Sequence, residues 1–238
     1  MDVNKIKNEF SNLSSIYLNS AYLGPSPKRA IELARKSIEK ESNPSFYMYQ
    51  EWMSFSDEIR ALYATLLHCS LNNIAISTSV SEMISHIANG YPFKKEDCVV
   101  VMEGDYPSNI IPWMVNKKRI GFNIHFLKEK YFHSPETLAR KLPHNTKIVN
   151  ISHVLFNTGN RFNLTEIGEV LKKKDILFIV DCSQSLGGLG ISNTELDLID
   201  VLVGASYKWL LGPYGTAFAY FSTQAYKMIH RTHGNWLA

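Results

Sequence analysis

The stretch "ILFIVDCSQSLGGLG" (176–190) decides the fold class. Five apolar residues run into a carboxylate, Asp181, and then into small residues that turn the chain. An uninterrupted apolar run of that length, rich in β-branched residues, predicts a strand buried on both faces. Working outward, similar runs recur at 74–77, 98–102, 122–126, 147–151, 201–203 and 216–221. Between most of them lie segments of helical period, at 81–89, 108–119, 135–142 and 164–173. Strand alternating with helix predicts an α/β fold with a mostly parallel sheet of seven strands covered by helices. The first 70 residues read differently. Segments 27–41 and 50–67 are amphipathic helices with no strand between them, punctuated by Pro25, Pro27 and Pro44.

With 238 residues, 45% hydrophobic and 20% charged, the chain has an ordinary globular composition, enough for one large domain. A net charge of +3 gives no reason to expect nucleic acid or a membrane surface as partner. The densest basic run, Lys172–Lys174, reads as a solvated helix end. Three cysteines (Cys69, Cys98, Cys182) share no metal-ligand spacing, and their odd number argues against a disulfide framework, so a reducing, cytoplasmic location is expected. The polar start MDVNKIKNEF is not a secretory signal, and no apolar run is long enough to span a bilayer.

In open α/β sheets, ligands bind beyond the carboxyl ends of the strands. That rule selects Ser79–Glu82, Glu103–Asn109, Ser152–Gly159, Asp181–Gln184 and Ala205–Lys208. Asp181 is either a helix N-cap or a partner for a cationic ring nitrogen. Lys208, in "GASYKWLLGPYG" (204–215), is either a surface residue or an amine whose apolar neighbours depress its pKa and fit it to form a Schiff base. Pyridoxal 5'-phosphate supplies both counterparts, a carbonyl for the lysine and a pyridinium for the acid. The turn "STSVSEM" (77–83) is a plain helix cap or a phosphate cradle using the N–H groups of Val80 and Ser81 and the Ser81 hydroxyl. Tyr106 is a packing residue or a ring that stacks on a flat cofactor.

Six segments, taken in order, resemble the class V aminotransferases, a pyridoxal-phosphate family that includes cysteine desulfurases, kynureninase and isopenicillin N epimerase-like proteins. They are "YLNSAYLGPSP" (17–27), "STSVSE" (77–82), "DYPSNIIPW" (105–113), "SHVLFNTG" (152–159), "VDCSQSLGGLGI" (180–191) and "SYKWLLGPYG" (206–215). The resemblance implies a fold type I large domain over residues 71–238, preceded by an N-terminal helical segment, 1–70, with the usual C-terminal small domain missing. It implies Lys208 as the Schiff-base lysine, Asp181 as the pyridinium partner and Gln184 as the group that meets the ring's 3-oxygen. Val80 and Ser81 match the phosphate turn, Tyr106 the stacking position, and Tyr207 a phosphate-binding position that is histidine in many relatives. The desulfurases have a phosphate-binding serine where this chain has Ala205, which leaves the role of Ser206 open. The family reading is an enzyme acting on a small-molecule amino-acid substrate, aminotransferase-like, with lyase, desulfurase or epimerase chemistry not separated, and a homodimer. The alternative is a truncated, non-catalytic binding or partner module.

The remaining candidates are weaker. Arg161 is a substrate-carboxylate clamp or a structural ion pair. His153 orients the site or is a satisfied polar residue. Cys182 reads as packing, not as a nucleophile. His230 and His233 have a ligand-like spacing but no further ligand, so no metal is expected. His233, Gly234 and Asn235 are read either as a loop reaching a neighbouring subunit's site or as a frayed end. "GGLG" (187–190) does not leave a strand directly and fails as a dinucleotide fingerprint.

Overall fold

Continuous apolar runs fold here as the central strands of one sheet. The computed structural model describes residues 2–43, 45 and 49–232, with the side chains of 49–52 outside that description. Pro44, His233, Gly234 and Asn235 therefore lie outside the described residues. The strands are β1 (Ile74–Ser77), β2 (Cys98–Met102), β3 (Asn123–Leu127), β4 (Thr146–Ser152), β5 (Leu177–Asp181), β6 (Val201–Ala205) and β7 (Ala217–Phe221). Their spatial order is β1-β7-β6-β5-β4-β2-β3. Strands β3, β2, β4, β5 and β6 are mutually parallel. Strand β7 is antiparallel to both β6 and β1, so β1 points the same way as the parallel set. Only β7 departs from the parallel expectation. No helix crosses between it and β6, and a short connection forces the reversal.

Alternate side chains on each strand feed two cores. Val100, Met102, Val149, Ile151, Phe178 and Val180 pack on one face. They meet Leu67, just past α3 (Tyr49–Leu66), Leu138 of α6 (Pro135–Lys141), and Ile167 and Leu171 of α7 (Leu164–Lys172). Val99, Val101, Ile148, Ile179 and Val203 pack on the other. There they meet Ile84 and Ile87 of α4 (Val80–Gly90) and Trp113 of α5 (Ile111–Ile120). Burial on both faces explains why these strands lack the alternation of a half-exposed sheet. The expected helix 108–119 divides into a 3-10 turn, Pro107–Asn109, followed by α5, with Pro112 in its first turn.

The N-terminal region is helical, as expected: α1 (Val3–Glu9), α2 (Lys28–Glu41) and α3 precede the first strand. No helix of the described residues is long and apolar enough to cross a membrane.

Candidate active site

The common direction of β1, β2, β4, β5 and β6 brings five strand ends to one edge of the sheet. A cleft of about 650 Å³, counted to its open mouth, forms there. Thr78–Ser81, Tyr106, Ser152, Asp181, Gln184 and Lys208 are among the residues that line it.

Asp181 ends β5 and is 4% exposed. Its Oδ1 accepts from the Ser183 N–H at 2.8 Å and its Oδ2 from the Asn109 amide at 3.3 Å. Burial raises its pKa, the Ser183 bonds oppose that rise, and the nearby Asp105 adds to it. Asp181 caps the following turn, and it also faces the cleft.

Lys208 follows β6 and is 6% exposed. Its Nζ lies 5.3 Å from the centre of the Tyr106 ring and 5.8 Å from that of Tyr207. Burial lowers its pKa, and the attraction of Asp181 only partly reverses this. The surface reading of Lys208 is excluded.

The loop that carries Lys208 is tightly folded. Ser206 N–H donates to Thr216 O at 3.0 Å, Gly212 N–H to Ser206 O at 2.9 Å, and Leu211 N–H to Lys208 O at 3.2 Å. The segment 17–27 braces it from outside: Gly24 N–H donates to Tyr207 O at 2.8 Å. A Cβ on Gly24 would sit 1.9 Å from Lys208 O, so only glycine fits. Gln184 joins the same brace. Its Nε2 donates to Ala21 O at 2.8 Å and its Oε1 accepts from Trp209 Nε1 at 3.2 Å. The Gln184 amide, which lines the cleft, carries a second Nε2 hydrogen besides the one given to Ala21.

Val80 and Ser81 open α4, capped by Ser79, whose hydroxyl accepts from Glu82 N–H at 3.2 Å. First-turn N–H groups have no intrahelical acceptor. Ser81 Oγ lies 2.7 Å from Ser108 Oγ, so a pair of hydroxyls stands beside them. Glu82 turns back to accept from Ser77 and Thr78 hydroxyls, which holds its pKa down at about 2 and fixes the turn. Tyr207 lines the cleft and stacks on Tyr214 at 4.2 Å.

The weaker candidates lie outside the cleft. Ser206 turns toward α3 and hydrogen-bonds Tyr63, away from the cleft. Arg161 proves structural: its Nε donates to His153 Nε2 at 3.2 Å, and its guanidinium lies 3.9 Å from Glu195. His153 is fully buried between Arg161 and Ser185, a satisfied polar residue. The Cys182 thiol is buried against Val203 O, with its pKa pushed well above the usual value. No cluster able to hold a metal ion occurs among the described residues.

A buried network beneath the site went without a role in the sequence reading. Asp105 accepts from Ser152 Oγ at 2.6 Å, Ser152 N–H at 2.8 Å and Tyr106 N–H at 2.6 Å. Asn109 donates to Ser152 Oγ as well as to Asp181, and accepts from Asn150, which in turn accepts from Trp113 Nε1 at 2.9 Å. The available signal was register: Ser152 ends β4 where Asp181 ends β5, and the two are paired across the strands.

The profile of the family described as Aminotransferase class-V matches residues 16–235. A probable cysteine desulfurase of Methanothermobacter thermautotrophicus is 27% identical over 215 residues, covering 87% of this chain and 53% of that protein. An uncharacterized aminotransferase of Schizosaccharomyces pombe is 26% identical over 172 residues, 71% of this chain and 43% of that protein. The chain spans about half the length of the curated relatives it matches. Among solved structures, a mutant of C-DES with glycine covalently linked to its PLP cofactor superposes with a TM-score of 0.89 at 23% identity, over 97% of this chain and 63% of that one. The cysteine desulfurase CsdA of Escherichia coli gives 0.87 at 18% identity, over 99% and 62%.

Proposed function

The chain belongs to the class-V aminotransferase family, and from that premise we propose that it is a pyridoxal-phosphate-dependent enzyme acting on an amino acid. The observation that carries the proposal is the convergence of a buried carboxylate and a buried amine, Asp181 and Lys208, on one cleft beside a helix N-terminus.

The donor set fits a flat, phosphorylated pyridine aldehyde. Asp181 is held by two donors and suits a protonated ring nitrogen. Tyr106 offers a ring face, and the second hydrogen of Gln184 Nε2 suits the ring oxygen. The first N–H groups of α4, the Ser81 hydroxyl and the Tyr207 hydroxyl suit the phosphate. Lys208 suits the aldehyde. When bound, pyridoxal phosphate supplies an electron sink for charge that develops on the α-carbon of an amino acid.

This chain's own residues then do three things. Lys208, its pKa lowered by burial, is the amine placed to take the α-proton and return it. Asp181 keeps a proton on the base it faces, because Asn109 and Ser183 fix its oxygens. The Asp105–Ser152–Asn109 network holds the floor in place. Transamination, elimination and epimerisation share that proton transfer. The chain's three cysteines do not line the cleft, which supports proton chemistry by Lys208 over attack by a thiol of these residues.

Residues 71–238 make up the cofactor-binding large domain in this proposal, and residues 1–70 an N-terminal helical segment that braces it. Three free thiols support a cytoplasmic location. Exposed Ile111, Met114 and Val115 on α5, beside the cleft, support a homodimer. The test is reconstitution with pyridoxal phosphate followed by borohydride and peptide mass spectrometry. The expected result is a visible absorption band that borohydride bleaches, with a pyridoxyl group fixed on Lys208 and absent from Lys208→Ala. A protein that takes up no cofactor, or is labelled equally in Lys208→Ala, refutes the assignment.

A further inference from the structure

The inner cleft holds two charged groups, both buried, whereas its mouth is lined by rings. Tyr106, Phe156 and Tyr207 all border it, and Tyr214 stacks behind Tyr207. Phe156 is 43% exposed yet stands edge-to-face on Tyr106, with centroids 5.3 Å apart and planes at 79°. Phe156 and Tyr106 together present a rigid aromatic surface to the cleft.

Both rings are held in place. Phe156 sits on a hairpin that leaves β4. Val154 bridges to Arg161, Leu155 N–H donates to Asn160 O at 3.0 Å, and Gly159 N–H donates to Leu155 O at 2.9 Å. Leu155 is buried, and His153 clamps the hairpin base between Arg161 and Ser185. Tyr106 is fixed from below by its N–H bond to Asp105. A ligand that packs on such rings spends little on ordering them. Arg119, in the adjoining groove between α4 and α5, is already bound by the side-chain oxygens of Asn89 and Asn116.

We propose that the mouth of the cleft is a subsite for an uncharged aromatic amino-acid side chain, and that Phe156 is its specificity-determining residue. The proposal rests on the pyridoxal-phosphate reading and names the substrate class of that same site. The aromatic side chain lies against Phe156, which Tyr106 backs edge-to-face while it keeps its own face for the cofactor, and the α-amino end points down to Lys208.

The experiment is a titration of the cofactor-loaded protein with L-phenylalanine, L-alanine, L-aspartate and L-lysine, followed by difference spectra and calorimetry. Phenylalanine is expected to bind about tenfold tighter than alanine, the contribution of one good ring contact, and the two charged amino acids no tighter than alanine. Phe156→Ala should reduce the phenylalanine-to-alanine ratio to below about two, with Phe156→Leu between, because aliphatic area replaces only part of the ring contact. A wild-type ratio near one, a preference for a charged amino acid, or a ratio unchanged in Phe156→Ala overturns the subsite. Failure to load cofactor counts against the function proposed above. The calorimetric titration is then run on the chain alone, where the same ratio decides the subsite.

Discussion

Replacing Gly24 with alanine should release the N-terminal brace from the lysine loop. The added methyl would lie 1.9 Å from Lys208 O, 2.8 Å from Leu211 Cδ2 and 2.9 Å from the Lys208 carbonyl carbon. Two of these neighbours are backbone, in a loop closed by its own hydrogen bonds, so the contact opens by about 1 Å on the side of segment 17–27. Opening breaks Gly24 N–H to Tyr207 O and strains Gln184 to Ala21 O, about 1 kcal/mol each, and the overlap adds about 1 kcal/mol at the low end of overpacking. The segment can peel away from the surface, which caps the loss at about 2–3 kcal/mol. Expressed as an opening equilibrium, that is an increase of roughly 30- to 150-fold. Hydrogen exchange at the Gly24 amide reads it directly. The control is Gly190→Ala, where a Cβ meets nothing within 4 Å, and which should leave exchange at Gly24 unchanged. If the two variants exchange alike at Gly24, the brace does not exist as described.

Two further outcomes follow from buried groups. Burial, aided by Arg161, lowers the His153 pKa to about 4, below its ordinary 6.5. A folded-state value below the unfolded one gives stability that is full above pH 6.5 and is lost as the pH falls toward 4, by about 3 kcal/mol. Urea denaturation at both ends of that window should show wild type losing more than His153→Asn; parallel losses would contradict the assignment. The Cys98 thiol is pushed up to about 11 and the Cys182 thiol well above its usual value, both by burial, whereas Cys69 is half-buried. An aromatic disulfide reagent should therefore titrate Cys69 in the native protein and reach the other two only on unfolding; early reaction at Cys182 would place it nearer solvent than the fold allows.

Strand positions were legible to within about two residues because each central strand is covered on both faces and must be apolar throughout. The "CVVVM" of β2 and "LFIVD" of β5 are buried at every position. The reversal of β7 was less legible, since its run "AFAYF" is as apolar as a parallel strand and direction lies in the connection, not in the side chains. Asp181 and Lys208 stood out because charge at the end of an apolar run is costly. Asn109, Ser152 and Asp105 did not, because short polar residues after a strand read equally well as turn or cap. Their part depends on which strand ends become neighbours, and β2, β4 and β5 meet only in the folded sheet. Arg161 drew attention by its charge and nearness in sequence, yet the hairpin geometry turns it onto His153.

The electrostatics of the cleft differ from those of a stabilising ion pair. In a stabilising pair each partner's attraction outweighs its burial, so the acid's pKa falls and the base's rises. Here burial is the leading cause on both groups, and it acts the other way. Asp181 is pushed up, Lys208 is pushed down, and their mutual attraction is the smaller effect on each. Asp105 presses on Asp181 in the same direction through a network that leaves neither carboxylate unbonded. An acid that resists losing its proton and an amine that resists keeping one are poised to exchange protons with whatever sits between them. Such a pair detracts from folding stability, and in the pyridoxal-phosphate reading proposed above a cationic ring against Asp181 would remove that penalty. The fold tolerates the strain because β2, β4, β5 and β6, covered on both faces, hold that edge of the sheet.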